Sequence, residues 1–224
     1  MTTRNLSQYA TKSVPRYTSY PTAPHFSGEV GSDDYAGWLN ELDPNQPVSL
    51  YLHVPFCRQI CWYCGCNMKL ASKKTPVAEY AATLMAEVAL VASHLPERMS
   101  ISHLHWGGGT PTVLEPDDFE RAMDAVRAKF DISEGAELAV ECDPRTLSQA
   151  MIARLGALGF TRASFGVQEF DPKVQQAINR IQPPEMVRKA VTSFRDVGVQ
   201  SINFDLIYGL PHQTTETLLD TVRE

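Results

Sequence analysis

The chain has 224 residues, 43% of them hydrophobic and 21% charged, which is typical of a globular protein long enough for one sizeable domain. Its formal net charge of -6 and its lack of a Lys/Arg cluster disfavour nucleic acid as a partner. No apolar run approaches the length of a membrane span and the N-terminus carries no secretory signal. These features predict a cytoplasmic protein without a membrane partner.

Residues 1–46 are rich in Pro, Ser, Thr, Tyr and Gly, and they predict an irregular N-terminal arm with one short helix near 34–42. The remainder, 47–224, is interpreted as one core domain. Short apolar segments bounded by Gly, Pro or polar residues predict five strands, at 48–54, 101–106, 137–142, 162–167 and 201–207. Helical patterns follow them at 77–95, 117–130, 147–158, 185–197 and from Thr214 or Thr215 to the end.

This order is a β-α unit repeated five times, which predicts an α/β fold with a parallel sheet and right-handed connections. A closed barrel of eight units would need far more chain, so a partial (β/α) barrel or a doubly wound sheet fits the length. In both folds ligands bind beyond the carboxyl ends of the strands. The last helix has no Gly or Pro stop, and the natural protein is therefore expected to continue.

Four cysteines lie within ten residues directly after the first strand, in a segment that we name the cysteine loop (residues 57–66). Cys57, Cys61 and Cys64 are spaced C-x3-C-x2-C, and thiolates this close together can converge on one soft metal centre. Clustered thiols of this kind favour a reducing compartment over a disulfide scaffold. The three suit an iron–sulfur cluster with one open iron, and a structural zinc site is the alternative. Cys66 is the ambiguous fourth member.

Small or polar residues also occupy the ends of the other predicted strands. The second strand ends in GGGT (107–110), where the backbone can approach a ligand because no side chain keeps it away. Glu141 ends the third strand, and a carboxylate there can accept hydrogen bonds from ribose hydroxyls. Gln168 ends the fourth strand and Asp205 interrupts the apolar fifth, which is costly unless it is paired or faces a ligand. Arg180 could face an anionic ligand or could be an ordinary surface arginine.

Together these residues resemble the radical S-adenosylmethionine (SAM) superfamily, whose recurring marks are the C-x3-C-x2-C loop, the GGGTPT run and the acid after strand three. Longer stretches are similar to the oxygen-independent coproporphyrinogen III oxidase (coproporphyrinogen dehydrogenase) family within it. The resemblance covers residues 14–224. The stretches that carry it are PRYTSYPTA, YLHVPFC, CWYCGCN, HWGGGTPT, ECDPR, SFGVQEF, INR and NFDLIYGLP.

The resemblance implies a set of site residues. Cys57, Cys61 and Cys64 would hold a 4Fe–4S cluster whose open iron binds SAM. The residues implied to contact that SAM are Tyr51, Gly108, Gly109, Thr110 and Glu141. The family binds a second SAM, and the positions that match its site are Tyr63, Gln168, Arg180 and Asp205. Tyr63 stands where a phenylalanine often occurs, which keeps the ring.

The implied activity is that of a radical SAM oxidoreductase of haem and porphyrin biosynthesis. A 5′-deoxyadenosyl radical takes hydrogen from two propionates of coproporphyrinogen III in turn, carbon dioxide leaves, and protoporphyrinogen IX forms. The implied partners are coproporphyrinogen III and an electron donor such as flavodoxin or ferredoxin, with the chain acting as a monomer.

The ending departs from this family, which has a sixth barrel unit and a largely helical C-terminal domain. A C-terminally truncated chain is therefore expected to bind a cluster with little or no turnover, as an inactive fragment. A second alternative is a haem-binding chaperone on the same scaffold. That chaperone usually carries an aromatic residue at the position of Cys66, so Cys66 and PRYTSYPTA favour the oxidase.

Overall fold

The computed structural model describes residues 22–224. Most of the PRYTSYPTA stretch (15–23) lies outside the described residues, and so does the prediction made for residues 1–21. In the described part of the arm, a 3-10 helix (Ala23–His25) precedes the helix α1 (Ser32–Asn40), which has no buried residue. Asp34 starts α1 by accepting a hydrogen bond from the backbone N–H of Gly31 at 2.8 Å.

Within residues 22–224, five strands form one parallel sheet, and two form a short parallel pair at the two ends of the cysteine loop. In chain order the strands are β1 (Val48–Val54), β2 (Phe56–Cys57), β3 (Lys69–Leu70), β4 (Ser100–Gly108), β5 (Asp131–Cys142), β6 (Arg162–Gln168) and β7 (Ser201–Leu206). The five predicted strands are confirmed as β1, β4, β5, β6 and β7. The β2–β3 pair has two residues in each strand and carries no periodic signal in the sequence.

The strand β5 begins six residues before its predicted start at 137. Its first residues continue the ladder with β4, where Ser100 is opposite Asp131 and Ile101 is opposite Ile132. The register then shifts, and Gly135 takes a positive φ of 76°. That irregularity breaks the alternation of apolar residues, so the sequence pattern shows only the second half of the strand.

Each sheet strand is followed by a helix, as the five repeated units predict. The remaining helices are α2 (Thr75–Ser93), α3 (Pro116–Lys129), α4 (Gln149–Ala157), α5 (Pro172–Ala177), α6 (Pro184–Asp196) and α7 (Thr215–Arg223). Ser148 caps α4 and Thr214 caps α7 by accepting backbone N–H groups three residues on. The sequence analysis missed α5, because six residues are too few to show a helical period.

The strand order decides between the two predicted folds. The sheet runs β1-β4-β5-β6-β7, so each strand pairs with the next sheet strand along the chain. A doubly wound sheet reverses its order at a switch point, whereas a barrel adds strands in one direction. The fold is therefore a five-stranded partial (β/α) barrel, and β1 and β7 form its two edges.

Aromatic side chains pack between the sheet and its helices. The ring of Trp106 on β4 stacks on Phe119 of α3 with centroids 4.2 Å apart, and Phe165 on β6 meets Phe194 of α6 edge-on at 5.6 Å. All four side chains are fully buried. Truncating one such ring costs about 3–5 kcal/mol, and this packing fixes the strand ends that carry the polar residues.

Within residues 22–224, α2 is long and apolar enough to span a membrane by length and composition, with a mean hydropathy of 1.2. The expectation that no segment approaches this length was therefore too strict. The helix packs as a layer of the domain, because Val77, Ala81, Leu84 and Val88 are buried in the core.

A buried carboxylate joins the end of β6 to α7. The Glu169 side chain is fully buried and accepts hydrogen bonds from the backbone N–H of Phe170 at 2.8 Å and of Asp171 at 3.2 Å. It also accepts from Gln213 at 2.9 Å and from the hydroxyl of Thr221. Burial alone would raise the pKa of Glu169, but these hydrogen bonds hold the pKa below its ordinary value.

We expect Glu169→Gln to lower the free energy of unfolding by about 1–3 kcal/mol at neutral pH, because it replaces charge-assisted hydrogen bonds in a buried position. Since the folded pKa is lowered, this contribution is fully present above the unfolded pKa of about 4.3 and is lost as the pH falls through the folded value. Urea unfolding from about pH 7 to about pH 3 measures the difference, which should shrink below the unfolded pKa of about 4.3. Glu134→Gln, at an exposed carboxylate of β5, is the control and should be nearly neutral.

Candidate functional site

A cleft of about 250 Å³ opens at the carboxyl ends of the sheet strands. All of the residues that the sequence analysis selected line it, except Tyr51 and Gly107. The lining residues are Cys57, Gln59, Cys61, Tyr63, Cys64, Cys66, Gly108, Gly109, Thr110, Glu141, Cys142, Asp143, Arg145, Ser164, Gly166, Gln168, Arg180 and Asp205. The strands therefore bring together positions that are up to 148 residues apart, as Cys57 and Asp205 are.

The cysteine loop is held in place by hydrogen bonds with the segment that follows α5. The N–H of Trp62 donates to the carbonyl of Ile178 at 3.0 Å, and the side-chain amide of Asn179 donates to the carbonyl of Ile60 at 2.8 Å. Within the loop, the N–H of Cys64 donates to the carbonyl of Cys61 at 3.0 Å. This turn directs the thiols of the loop toward the cleft.

The thiols of the loop differ in exposure and in pKa. Cys61 is buried, Cys57 and Cys64 are half-buried, and Cys66 is exposed. Burial raises the pKa of Cys57, while its contact of 3.5 Å with the Thr110 hydroxyl acts in the opposite direction. Burial and the neighbouring Cys64 raise the pKa of Cys66 to about 11. These two thiols are protonated at neutral pH, so binding a cation through either one would release a proton.

The side chains do not form a compact site for a single ion. In the part of the chain from residue 22 onward, no three His, Cys, Asp or Glu side chains lie close enough together to hold one metal ion. The cysteines instead face a shared cleft.

The glycine run (107–109) lies directly against the cysteine loop. A Cβ on Gly109 would lie 2.8 Å from the carbonyl oxygen of Phe56 and 3.0 Å from the Sγ of Cys57. The N–H of Gly109 donates to the carbonyl of Val54 at 2.9 Å. Glycine is therefore required here for a close approach between two backbones, whereas the sequence analysis expected a close approach to a ligand.

Glu141 connects β5 to the glycine run. Its Oε2 accepts the N–H of Gly108 at 3.1 Å, and its Oε1 lies 3.1 Å from the Nε2 of His105. Tyr51 stacks on the His105 ring with centroids 5.7 Å apart. A Cβ on Gly107 would meet both the Tyr51 ring and Glu141 within 3.0 Å. Tyr51 therefore lies beside Glu141, although it does not line the cleft.

Tyr51 also belongs to a hydrogen-bonded chain that reaches Asn67, the residue directly after the cysteine loop. The Nε2 of His53 lies 2.9 Å from the carbonyl oxygen of Asn67, and an acceptor there requires a proton on Nε2. In the neutral ring Nδ1 is then an acceptor, so the hydroxyl of Tyr51 donates to it across 3.0 Å. Burial and the nearby Glu141 raise the pKa of Tyr51, which keeps this donor protonated.

Gln168 and Arg180 are buried, which settles the alternative left open for Arg180 by excluding a surface role. Gln168 has a positive φ of 66°, and its Oε1 has no partner within the described residues. The guanidinium of Arg180 donates to the carbonyl of Gly166 at 2.9 Å and to the Sγ of Cys61 at 3.4 Å. A strained backbone and an unsatisfied oxygen in a cleft are typical of a ligand-binding position.

Asp205 and Tyr63, the remaining candidate residues, have different surroundings. Asp205 is exposed on the edge strand β7, where it accepts a hydrogen bond from Asn203 at 3.0 Å. Tyr63 packs against the small cluster of Val174, Ile178 and Leu210. Burial raises the pKa of Tyr63, so its hydroxyl stays protonated.

The sequence analysis missed Asp143 and Arg145, although both occur in the quoted ECDPR stretch. Their side chains are buried and ion-paired, with Arg145 Nη2 2.6 Å from Asp143 Oδ2. Burial alone would raise the pKa of Asp143 and lower that of Arg145. The hydrogen bonds and charge attraction between them outweigh burial, so the pKa of Asp143 is lowered and that of Arg145 is raised. The sequence did carry one signal for them, since an acidic and a basic residue stand two positions apart directly after a strand.

Comparison with known proteins identifies the family. Residues 51–224 match the family described as the Radical SAM superfamily. The chain belongs to the radical SAM superfamily. Membership implies a 4Fe–4S cluster and SAM as cofactors.

Relatives of this radical SAM chain share one name. An oxygen-independent coproporphyrinogen III oxidase from Bradyrhizobium diazoefficiens is 52% identical over 215 residues, which are 96% of this chain and 48% of the relative. One from Cereibacter sphaeroides is 46% identical over 209 residues, which are 93% of this chain and 46% of the relative. The chain thus spans about half the length of the curated relatives it matches.

A solved structure shows the same fold. The coproporphyrinogen III oxidase (HemN) of Escherichia coli, described as a radical SAM enzyme, matches with a TM-score of 0.85 and 39% identity. The match covers 92% of this chain and 47% of that one. The predicted fold of the radical SAM type is confirmed.

The cleft of this radical SAM chain fits the two cofactors that the family implies. Soft thiol donors are the ligands that iron–sulfur clusters use, and all four cysteines of the cysteine loop line the cleft. Gly109 lets the backbone after β4 lie directly against Cys57, and the unpartnered Oε1 of Gln168 offers an acceptor to a ligand amine or hydroxyl.

Proposed function

We propose that this chain carries the cluster-binding and SAM-binding part of an oxygen-independent coproporphyrinogen III oxidase, a radical SAM oxidoreductase. The reaction is the oxidative decarboxylation of two propionates of coproporphyrinogen III to give protoporphyrinogen IX in haem biosynthesis. The observation that carries the proposal is the convergence of the cysteine loop, the glycine run and Glu141 on one cleft. The name shared by the relatives supports the choice of substrate.

In this proposal Cys57, Cys61 and Cys64 hold the 4Fe–4S cluster, and Cys66 does not. The bound cluster and SAM supply a 5′-deoxyadenosyl radical. The contact between Cys57 and the Thr110 hydroxyl at 3.5 Å supports an arrangement in which cluster and SAM adjoin. The protein positions both groups and keeps water and oxygen away from them.

We assign the first SAM to the glycine run side of the cleft. Gly108, Gly109 and Thr110 contact it through the backbone, while Glu141 accepts hydrogen bonds from the ribose. Tyr51 is assigned to the same molecule, and its position beside Glu141 supports this.

We assign the second SAM to the opposite side. Its proposed contacts are Tyr63, Gln168, Arg180 and Asp205, all of which line the same cleft. The unpartnered Oε1 of buried Gln168 supports a ligand at that side. The number of SAM molecules is part of the proposal.

The remaining assignments follow from the same family. We propose that residues 47–224 are the radical SAM core and that residues 1–46 are an N-terminal arm. We also propose that a flavodoxin or ferredoxin donates the electron. The chain is proposed to be monomeric and cytoplasmic. The clustered free thiols support a reducing compartment.

Anaerobic reconstitution with iron and sulfide tests the proposal. Bound iron and sulfide, followed by release of 5′-deoxyadenosine from SAM under a low-potential reductant, is the expected result. Zinc without iron or sulfide would indicate a structural metal module instead, and stable haem binding without SAM consumption would indicate a haem chaperone.

Glu141→Gln should weaken SAM binding by roughly 10- to 100-fold, because a carboxylate accepts ribose hydroxyls more strongly than an amide does. Equilibrium dialysis of SAM against the reconstituted chain measures this, and the iron content should be unchanged. Glu137→Gln is the matched control, since Glu137 lies on the same strand but pairs with Arg162 at 3.5 Å outside the cleft. Equal SAM affinity in the two variants would contradict the assignment.

A further inference from the structure

One buried charge network in the cleft joins Arg180 to Asp143 and Arg145, which lie directly after β5. Asp143 and Arg145 have no role in the assignments above. Arg145 Nε donates to Asp143 Oδ1 at 2.9 Å and its Nη2 to Oδ2 at 2.6 Å, which is a two-point pairing. Arg180 Nη1 lies 3.6 Å from the same Oδ2. The three side chains are only 7–11% exposed.

Both arginines are directed at one cysteine sulfur. The Nη2 of Arg145 and the Nη1 of Arg180 each lie 3.4 Å from the Sγ of Cys61. Cys61 is also the most buried cysteine of the loop, at 7% exposure. Because the site is shielded from water, charges at these distances interact more strongly than on the surface.

Arg145 also contacts the cysteine loop at a position other than the Cys61 sulfur. Its Nη1 donates to the side-chain oxygen of Gln59 at 3.1 Å and to the carbonyl of Asn179 at 3.4 Å. The same guanidinium therefore contacts the loop, the segment after α5 and the carboxylate after β5. A planar group with five donors in a fixed geometry suits this role, and a lysine cannot reproduce it.

We propose that Arg145 is a positioning residue that fixes Cys61 and raises the reduction potential of the cluster, given that Cys61 is a cluster ligand as proposed above. Reduction adds one negative charge to the cluster, and hydrogen bonds to a ligand sulfur together with a nearby positive charge stabilise that added charge. The electron comes from the low-potential donor of the proposed reaction. Arg145 thereby makes the cluster easier to reduce.

A redox titration followed by electron paramagnetic resonance tests the effect on the potential. In reconstituted Arg145→Gln, reduction should be about tenfold less favourable than in the parent chain, which is about 59 mV for a one-electron couple. Arg145→Lys keeps the charge and loses the two-point geometry, so its potential should lie between the two. Arg154→Gln is the matched control, because Arg154 pairs with Asp117 and Glu120 outside the cleft. It should keep the parent potential.

A cluster-bearing Arg145→Gln with the parent potential would overturn the role in tuning the cluster. If Arg145→Gln assembles no cluster, the potential of Arg145→Lys tests the role instead. A potential equal to that of the parent chain in Arg145→Lys would also overturn it. Hydrogen exchange in the cluster-free chain tests the positioning role separately. Exchange in residues 57–66 should be faster in Arg145→Gln than in Arg154→Gln, and equal rates would refute it. A parent chain that binds no iron would instead refute the proposed function, together with the role in tuning.

Discussion

Replacing Cys61 with serine should reduce bound iron and sulfide to background levels. A serine oxygen is a hard and weakly acidic donor, so it replaces a thiolate poorly at a soft iron centre. The substitution also leaves the guanidinium groups of Arg145 and Arg180, each 3.4 Å from the sulfur, facing a smaller atom in a buried position. We expect the same loss for Cys57→Ser and Cys64→Ser. Iron and sulfide analysis after anaerobic reconstitution, with the visible absorption of the cluster, measures it.

Cys66→Ser is the matched control, because Cys66 belongs to the same loop and lines the same cleft but is exposed. We expect it to retain the full iron and sulfide content of the parent chain. Loss of the cluster in Cys66→Ser together with retention in any of the other three would reassign the ligands. Circular dichroism of all four variants would separate cluster loss from failure to fold.

The second large effect is expected for Gly109→Ala, which should lower both the free energy of unfolding and the cluster content. The added Cβ would lie 2.8 Å from the carbonyl oxygen of Phe56, a backbone atom that cannot move unless β2 moves with it. Overpacking of this kind costs typically about 1–3 kcal/mol. The shift of β2 would also displace Cys57, whose Sγ lies 3.0 Å from the same Cβ position. Urea unfolding and iron analysis measure the two consequences.

Gly37→Ala provides the comparison, since its Cβ would meet nothing within 4 Å and Gly37 lies inside the exposed helix α1. Alanine there should raise the stability by up to about 1 kcal/mol through helix propensity. If Gly109→Ala unfolds at the same urea concentration as the parent chain and binds as much iron, the close approach of the two backbones is not required.

The sheet strands other than β5 could be predicted because each of them is a short apolar run with turn-forming residues on both sides. The strand β5 shows where this fails, since Gly135 and the register shift beside it hide the first half of the strand from a periodicity argument. The partial barrel was one of two predicted folds. Only the pairing of β1 with β4 and of β6 with β7 at opposite edges excludes the doubly wound alternative, because strand order is a property of long-range contacts.

The candidate site was predictable where a residue type carries the chemistry by itself, as the cysteines, the glycine run and Glu141 do. Arg145 was missed because an arginine is usually a surface residue. Its importance here comes from burial and from partners in two other segments, the cysteine loop and the stretch after α5. Arg180 was selected by resemblance alone. Its contact with Cys61 could not be foreseen from a separation of 119 residues.

The anchoring of the cysteine loop has a consequence for the order of events during biosynthesis. The carbonyl that accepts from Trp62 belongs to Ile178, and the amide that donates to Ile60 belongs to Asn179. A nascent chain that has just exposed its cysteines lacks both contacts, because ribosomes add residues from the N-terminus onward. The loop acquires its native constraints only after the stretch beyond α5 has been synthesised and has folded back. The geometry presented to incoming iron is thus set only after Ile178 and Asn179 have been added to the chain, and these residues contribute no sulfur.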